Sequence, residues 1–221
     1  MKIKFLGHSC FSLEDSNTTI LIDPFLSGNP LAAAVSDKVA ADCIFVTHGH
    51  GDHIGDAVSI AKRTYAKVYA VVEIADSLLA PEGIKVGRGN IGGKQKTIFG
   101  SVKFFPASHG SGVNGALACG YIFEIEGKKI YHAGDTGLIA EMHFLEDEKI
   151  DVALLPIGDF YTMGPEDAVK AAKLISPKYV IPMHYNTFPA IKQNPAEFKK
   201  AVEDKGICAV KILNPGESFI I

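Results

Sequence analysis

The segment Thr47-His48-Gly49-His50-Gly51-Asp52-His53 puts three imidazoles and a carboxylate within six residues. Imidazole nitrogens and carboxylate oxygens are ligands for zinc and for other first-row divalent metals. Alternate residues of an extended segment face the same side, so His48 and His50 can converge on one ion. Where the chain then turns into a helix, Asp52 and His53 can reach a second position nearby, and the glycines at 49 and 51 permit a tight backbone path. The alternative is a solvated histidine-rich turn or a single opportunistic metal site. Against it, these imidazoles repel one another when protonated and lack the apolar character that would hold a core. Three more candidates follow strand-like runs: His109 in FFPASHGSG, Asp135 in YHAGDTG and His184 in VIPMHYN. Alone, each reads as a structural residue; beside the 48–53 cluster they read as further ligands.

The elements that must position these residues are legible in outline. Residues 10–25 (CFSLEDSNTTILIDPF) and 121–136 (YIFEIEGKKIYHAGDT) share one pattern: a strand, a polar turn, a second strand and then an aspartate, Asp23 or Asp135. Asp15-Ser16-Asn17 and Glu126-Gly127-Lys128 carry hairpin chemistry. A recurrence at about 110 residues is no solenoid period; it predicts two β-rich halves of one domain. The apolar runs at 43–46, 68–72, 152–157 and 179–183 predict buried strands. Helices are predicted over 56–65, over 165–175 from the Pro165-Glu166-Asp167 start, and from Pro195 to a stop at Gly206. The glycine-rich stretch 87–100 reads as a loop or edge hairpin. No linker divides the chain, so residues 1–221 are expected to form a single domain of mixed α and β structure, strands packed under outer helices.

Composition narrows the function classes. Of 221 residues, 47% are apolar and 21% charged, which excludes a disordered tail, a collagen-like repeat and a disulfide knot. The net charge of −3 offers no basic stripe for extended nucleic-acid binding. Cys10, Cys43, Cys119 and Cys208 form no C-x-x-C pair and sit in apolar stretches, as reduced thiols would. The N-terminal residues lack a secretory signal pattern, and no apolar run reaches the roughly 18 residues of a membrane helix. A cytoplasmic location, away from the membrane, is expected.

In the order Asp23, His48-x-His50-x-Asp52-His53, His109, Asp135 and His184, the chain resembles the metallo-β-lactamase superfamily over nearly its whole length. GHSCF (7–11), LIDPFLSGNP (21–30), HAGDTGL (132–138) and YTMGPEDA (161–168) are similar to the small metal-dependent hydrolase branch related to ascorbate-phosphate lactonases. The resemblance implies an α/β (α+β) fold, a four-layer αββα sandwich with the site at the mouth between two sheets. It implies two divalent metal ions per chain, from among Zn, Mn, Ni, Fe and Co. His48, His50 and His109 would hold one ion; Asp52, His53 and His184 the other; Asp135 would bridge both beside a water or hydroxide. Asp23 is implied as a carboxylate behind the ligands that orients the His loop. His8, in the first hairpin, is expected to face the metals and to serve as an extra ligand or a substrate contact. Tyr161 or Thr162 would border the substrate mouth and donate to a substrate oxygen, and the segment 186–188 is a similar case. His132 reads as structural and His143 as a surface residue.

Departures from related patterns sharpen the expectation. The related flavodiiron oxidoreductases carry glutamate where this chain has His50, so a hydrolytic pattern is preserved here. The chain is too short for the inserted domain of the nucleic-acid-processing members, and it has neither a nucleophile elbow G-x-S-x-G nor a P-loop. The expected activity is hydrolysis of a small molecule, with Asp52 and Asp135 as catalytic carboxylates and a phosphodiester or other phosphate-bearing compound as the favoured substrate. A lactonase or other acyl hydrolase is the alternative, and a non-catalytic metal-binding or sensor protein is the alternative of another class. A homo-oligomer is common among such relatives.

Overall fold

The computed structural model describes residues 1–221. Six strands of the first half of the chain are β1 (Lys2–Gly7), β2 (Cys10–Glu14), β3 (Thr19–Ile22), β4 (Cys43–Phe45), β5 (Lys67–Val71) and β6 (Val86–Gly89). Those of the second half are β7 (Lys94–Thr97), β8 (Gly100–Pro106), β9 (Cys119–Ile125), β10 (Lys128–His132), β11 (Val152–Pro156), β12 (Tyr179–Met183) and β13 (Ala209–Val210), with β14 (Ser218–Ile220) last. They form two seven-stranded sheets, ordered β14-β1-β2-β3-β4-β5-β6 and β13-β12-β11-β10-β9-β8-β7.

The two hairpins of the repeated pattern occupy equivalent places. β1, β2 and β3 are antiparallel and β3 to β6 parallel; β8, β9 and β10 are antiparallel and β10 to β13 parallel. In the first turn Asp15 accepts from the N–H groups of Asn17 and Thr18 at 2.7 Å. In the second, Glu126 and Gly127 both take positive φ, as the tight hairpin turn requires. Glycine-rich 87–100 holds the expected edge hairpin only in part: β7 pairs antiparallel with β8 across the turn Ile98-Phe99, Thr97 opposite Gly100. Its ends are β6, the edge of the first sheet, and β7, the edge of the second, so the chain changes sheets there. β6 and β7 are rich in glycine and lysine and do not pair with each other: β6 pairs with β5 and β7 with β8.

Wherever strands are parallel and central they are apolar on both faces, as in fully buried β4 and β11, because both faces are covered. The sheets face each other across rings such as Phe45 of β4, whose centroid lies 5.2 Å from that of Tyr121 and 4.9 Å from that of Phe123 of β9. Helix α1 (Gly51–Ile54), helix α2 (Ala57–Thr64) and helical turns over 72–82 belong to the first sheet. Turns over 140–148, helix α3 (Pro165–Ile175) and helix α4 (Pro195–Glu203) belong to the second. Helix α3 starts at proline as its first residue, and Asn194 caps α4 by accepting from Ala196 N–H. The result is the expected αββα sandwich.

Tyr121 closes the gap between the sheets at the end nearest the histidine segment: its buried hydroxyl donates to Val46 O at 2.7 Å. Replacing it with phenylalanine takes the donor from a buried carbonyl. Tyr121→Phe is expected to lose about 1–3 kcal/mol of stability, read as a lower urea midpoint at unchanged slope.

Candidate metal centre

Every sequence-predicted ligand sits just beyond the C-terminal end of a strand, along one edge shared by both sheets. His8 follows β1, Asp23 follows β3, the 48–53 segment follows β4, His109 follows β8, Asp135 follows β10 and His184 follows β12. His8, Asp23 and His184 are non-glycine residues with φ of 59°, 43° and 53°. Such conformations cost of order 1–3 kcal/mol each and persist only where neighbours impose them. Here the neighbours are visible. His184 N–H donates to His8 O at 2.9 Å, and buried His132, the last residue of β10, donates from Nε2 to Ser9 O at 2.9 Å, so the second half of the chain holds the first turn of the other. His132 thereby has the structural place expected of it, and His143 lies on the surface, its side chain 66% exposed.

The histidine segment runs through bends rather than an extended stretch, yet His48 Nε2 and His50 Nδ1 come within 3.0 Å. Gly49 is demanded by the approach of the His109 loop: its N–H donates to Ser111 O at 2.7 Å, and a Cβ on Gly49 would lie 3.0 Å from that same oxygen. Gly51 is not demanded in this way; it opens α1 with nothing near its missing Cβ.

Asp23 is fully buried and collects three donors. Thr47 N–H reaches its Oδ1 at 2.8 Å, the Thr47 hydroxyl its Oδ2 at 2.7 Å and His53 Nδ1 its Oδ2 at 2.7 Å. The single Thr47 proton is spent on Asp23, so the 3.0 Å contact between Thr47 Oγ1 and His48 Nδ1 has the ring as donor. Both His48 and His53 therefore donate from Nδ1 and turn Nε2 inward, the nitrogen a metal ligand would use. Against the effect of burial, Asp135 and Asp23 raise the His53 pKa well above the ordinary imidazole value. Thr47 is the functional residue the sequence did not announce. Its only signal is a hydroxyl next to the histidine motif.

The inward-facing atoms form three overlapping sets, each with its ligand atoms within 4.8 Å of one another: His8, Asp52, His53 and His184; His48, His50 and His109; and His48, His53 and Asp135. Asp135 is central. Its Oδ1 lies 3.2 Å from His53 Nε2, and its Oδ2 lies 3.1 Å from His184 Nε2 and 3.6 Å from His109 Nε2. Burial opposes ionisation of Asp135, but His53 and His184 hold its carboxyl well below the usual range. Asp52 behaves alike: burial pushes its pKa up, and the His8 hydrogen bond and His53 more than offset this. Burial pushes His8 down to about 4 and His48 well below the ordinary imidazole value, so both rings are neutral at pH 7. His8 spans Thr187 Oγ1 (2.9 Å from Nδ1) and Asp52 Oδ2 (3.2 Å from Nε2).

The donor set fits a cation by one specific test. His53 Nε2 and Asp135 Oδ1 are deeply buried and near each other, yet neither has a hydrogen-bond partner. Buried polar atoms of native proteins are normally paired. With the His53 pKa raised by Asp135 and Asp23 despite burial, positive charge, a proton or a metal cation, is favoured between this nitrogen and the carboxylate. Above this floor lies a cavity of about 420 Å3 lined by His50, Asp52, His109, Asp135, His184, Tyr161 and Phe188. Tyr161 is thus on its wall. Thr162 is not; its hydroxyl donates to Met163 O at 3.2 Å. Of the 186–188 segment, Phe188 lines the cavity and Thr187 supports His8.

Comparison with known proteins agrees with this frame. A family model described as a beta-lactamase superfamily domain matches residues 2–184, and the chain belongs to the metallo-β-lactamase superfamily. Similar proteins include a UPF0173 metal-dependent hydrolase of Pelotomaculum thermopropionicum, 51% identical over 228 residues and 99% of each chain. Another, of Thermococcus onnurineus, is 50% identical over 98% of each chain. The structure of a metallo hydrolase from the hyperthermophilic archaeon Ignicoccus hospitalis aligns with a TM-score of 0.93 at 41% identity, covering 100% of this chain and 98% of that one. Within the superfamily the chain is a metal-dependent hydrolase. No helix is long and apolar enough to cross a membrane.

Asp23→Asn keeps the shape but can turn an N–H toward Thr47 or His53, so the inward lone pairs are no longer enforced. Competition with a chromophoric chelator is expected to show zinc affinity 10- to 100-fold weaker, while far-ultraviolet circular dichroism stays native.

Proposed function

We propose that the chain, as a single domain over 1–221, is a dinuclear hydrolase of phosphodiesters. His48, His50 and His109 would hold one divalent ion, and Asp52, His53 and His184 the other, with His8 beside Asp52 and Asp135 shared between them. Two bound divalent ions would supply a hydroxide nucleophile near neutral pH and neutralise charge on the attacked group and the leaving oxygen. The chain's own contribution starts with carboxylates. Asp52 and Asp135 lie on the cavity floor, and the histidines around them keep both ionised. One takes the proton of the attacking water, the new bond to phosphorus replaces the old one, and that proton goes to the departing alkoxide. His8 fixes Asp52 through Oδ2 and is itself fixed by Thr187, so the carboxylate is held in one orientation.

The observation that carries the substrate class is what the walls lack. No lysine or arginine lines the cavity. The ions are then the only cations there, opposed by two carboxylates, which suits the single negative charge of a diester. A phosphate monoester or a phosphorylated lactone brings a dianion that would find no guanidinium or ammonium partner. An uncharged ester or lactone meets the same wall without penalty and is the second reading. The other class of reading, a metal protein without turnover, leaves the 420 Å3 cavity over the cluster unexplained.

Bis(p-nitrophenyl) phosphate is the discriminating probe. Metal-stripped protein reloaded separately with Zn, Mn, Ni or Co is expected to release p-nitrophenol with at least one of them. His48→Ala is expected to lose one ion and at least 100-fold in kcat, as removal of a principal electrostatic group does. Hydrolysis of p-nitrophenyl acetate with no cleavage of the diester under any metal would move the assignment to the acyl reading.

A further inference from the structure

The turn after β11 displays two aromatic rings to solvent at the mouth of the centre. Phe160 is 73% exposed and Tyr161 55% exposed, and their rings meet edge to face with centroids 4.8 Å apart. Leaving two large rings in water is unfavourable and needs a reason. Flexibility is not one, since the turn is pinned at both ends. Thr162 N–H donates to Asp159 O at 2.6 Å, and Met163 N–H donates to Thr136 O at 2.9 Å. The second bond ties the turn to the residue after Asp135, so the rings are held in register with the carboxylate at the heart of the cluster. Phe188, which also lines the cavity, is half-buried. It rests edge-on against His8 at 5.4 Å and near Phe25 at 6.4 Å between centroids.

The cavity therefore combines polar ligand-type residues with two aromatic ones, Tyr161 and Phe188, in its lining. We infer that these rings, with Phe160 at the rim, select diesters that carry a planar aromatic group, an aryl ring or a nucleobase, on the phosphate. The inference rests on the phosphodiester reading and deepens it. Offset and edge-to-face contacts between rings reward a flat group over an alkyl one of similar reach. At about 420 Å3 the space suits a compound of mononucleotide size rather than a polymer strand.

The test uses two substrates with the same leaving group, bis(p-nitrophenyl) phosphate and methyl p-nitrophenyl phosphate, on the full-length, metal-loaded protein. The ratio of their kcat/KM values isolates the group retained on phosphorus. The wild-type ratio is expected to favour the aryl diester by more than tenfold, and Phe188→Leu and Tyr161→Ala each to reduce it about tenfold. Tyr161→Phe keeps the ring and is expected to keep the ratio, which separates the ring's role from its hydroxyl. Phe160→Ala is expected to lower the ratio less. Calorimetric binding of methyl phenylphosphonate against dimethyl phosphate gives the same comparison without turnover. If neither diester is cleaved but the phenyl compound binds preferentially, the phosphodiester reading fails and the aromatic preference stands. If both diesters are cleaved and the ratio does not change in Phe188→Leu and Tyr161→Ala, the preference is overturned and the phosphodiester reading stands. An unchanged ratio accompanied by dissociation of an oligomer in sedimentation would assign the rings to a subunit contact instead, and would equally overturn it.

Discussion

A single buried carboxylate, Asp23, is the constraint from which the rest of the centre follows. A carboxylate removed from water must be repaid in hydrogen bonds, and Asp23 receives them from Thr47 N–H, the Thr47 hydroxyl and His53 Nδ1. Because each donor has one proton to give, satisfying Asp23 also dictates where the remaining protons of the neighbourhood lie. His53 presents its other nitrogen inward, and His48, one hydroxyl further along, does the same. One buried residue at the end of β3 thus sets the chemistry of two rings on another loop. The arrangement is rigid because its members stand on strand ends rather than on free loops.

The centre stores unfavourable energy in several places. Three of its residues hold left-handed backbone conformations, and His53 Nε2, Asp135 Oδ1 and His184 Nδ1 are buried without hydrogen-bond partners. In an inert protein such features would be defects. Around a divalent ion such atoms can become ligands. Burial keeps His8 and His48 neutral, while Asp135 and Asp23 raise His53 despite burial, so the centre is built to hold positive charge at that ring. The same logic explains the bare walls. With the positive charge concentrated on the floor, additional lysines or arginines would compete with the ions for the carboxylates.

How much of this was legible in the sequence depended on the range of the interaction. The H-x-H-x-D-H spacing, the apolar runs that became β4, β11 and β12, and the Pro165-Glu166-Asp167 helix start are local patterns, and each corresponds to an element observed. The two hairpins were readable because turn chemistry lies between their strands. Of the segment 87–100 the edge hairpin into β8 was readable, but the crossing between sheets was not, since β6 and β7 bind partners in different sheets and carry glycine and lysine in place of β-branched residues. Thr47 was silent because a threonine beside a histidine is common, and its role exists only once Asp23 is brought beneath it. The direction of a side chain within a turn was equally hidden: Tyr161 faces the cavity while adjacent Thr162 bonds its neighbour's carbonyl. The helical turns over 72–82 and 140–148 change their hydrogen-bond spacing along their length, so no single helical period runs through them.

The likeness of the two halves has a consequence for assembly. His8, His48, His50, Asp52 and His53 belong to the first sheet's half, and His109, Asp135 and His184 to the second's. Each proposed ion would therefore be gripped from both sides of the interface, as a clasp is. A cation with no complete site in either undocked half binds only the joined molecule, so its affinity adds directly to the work of separating the halves. Metal supply would then govern the lifetime of the folded protein as well as its turnover, and scarcity would loosen the sandwich along its seam.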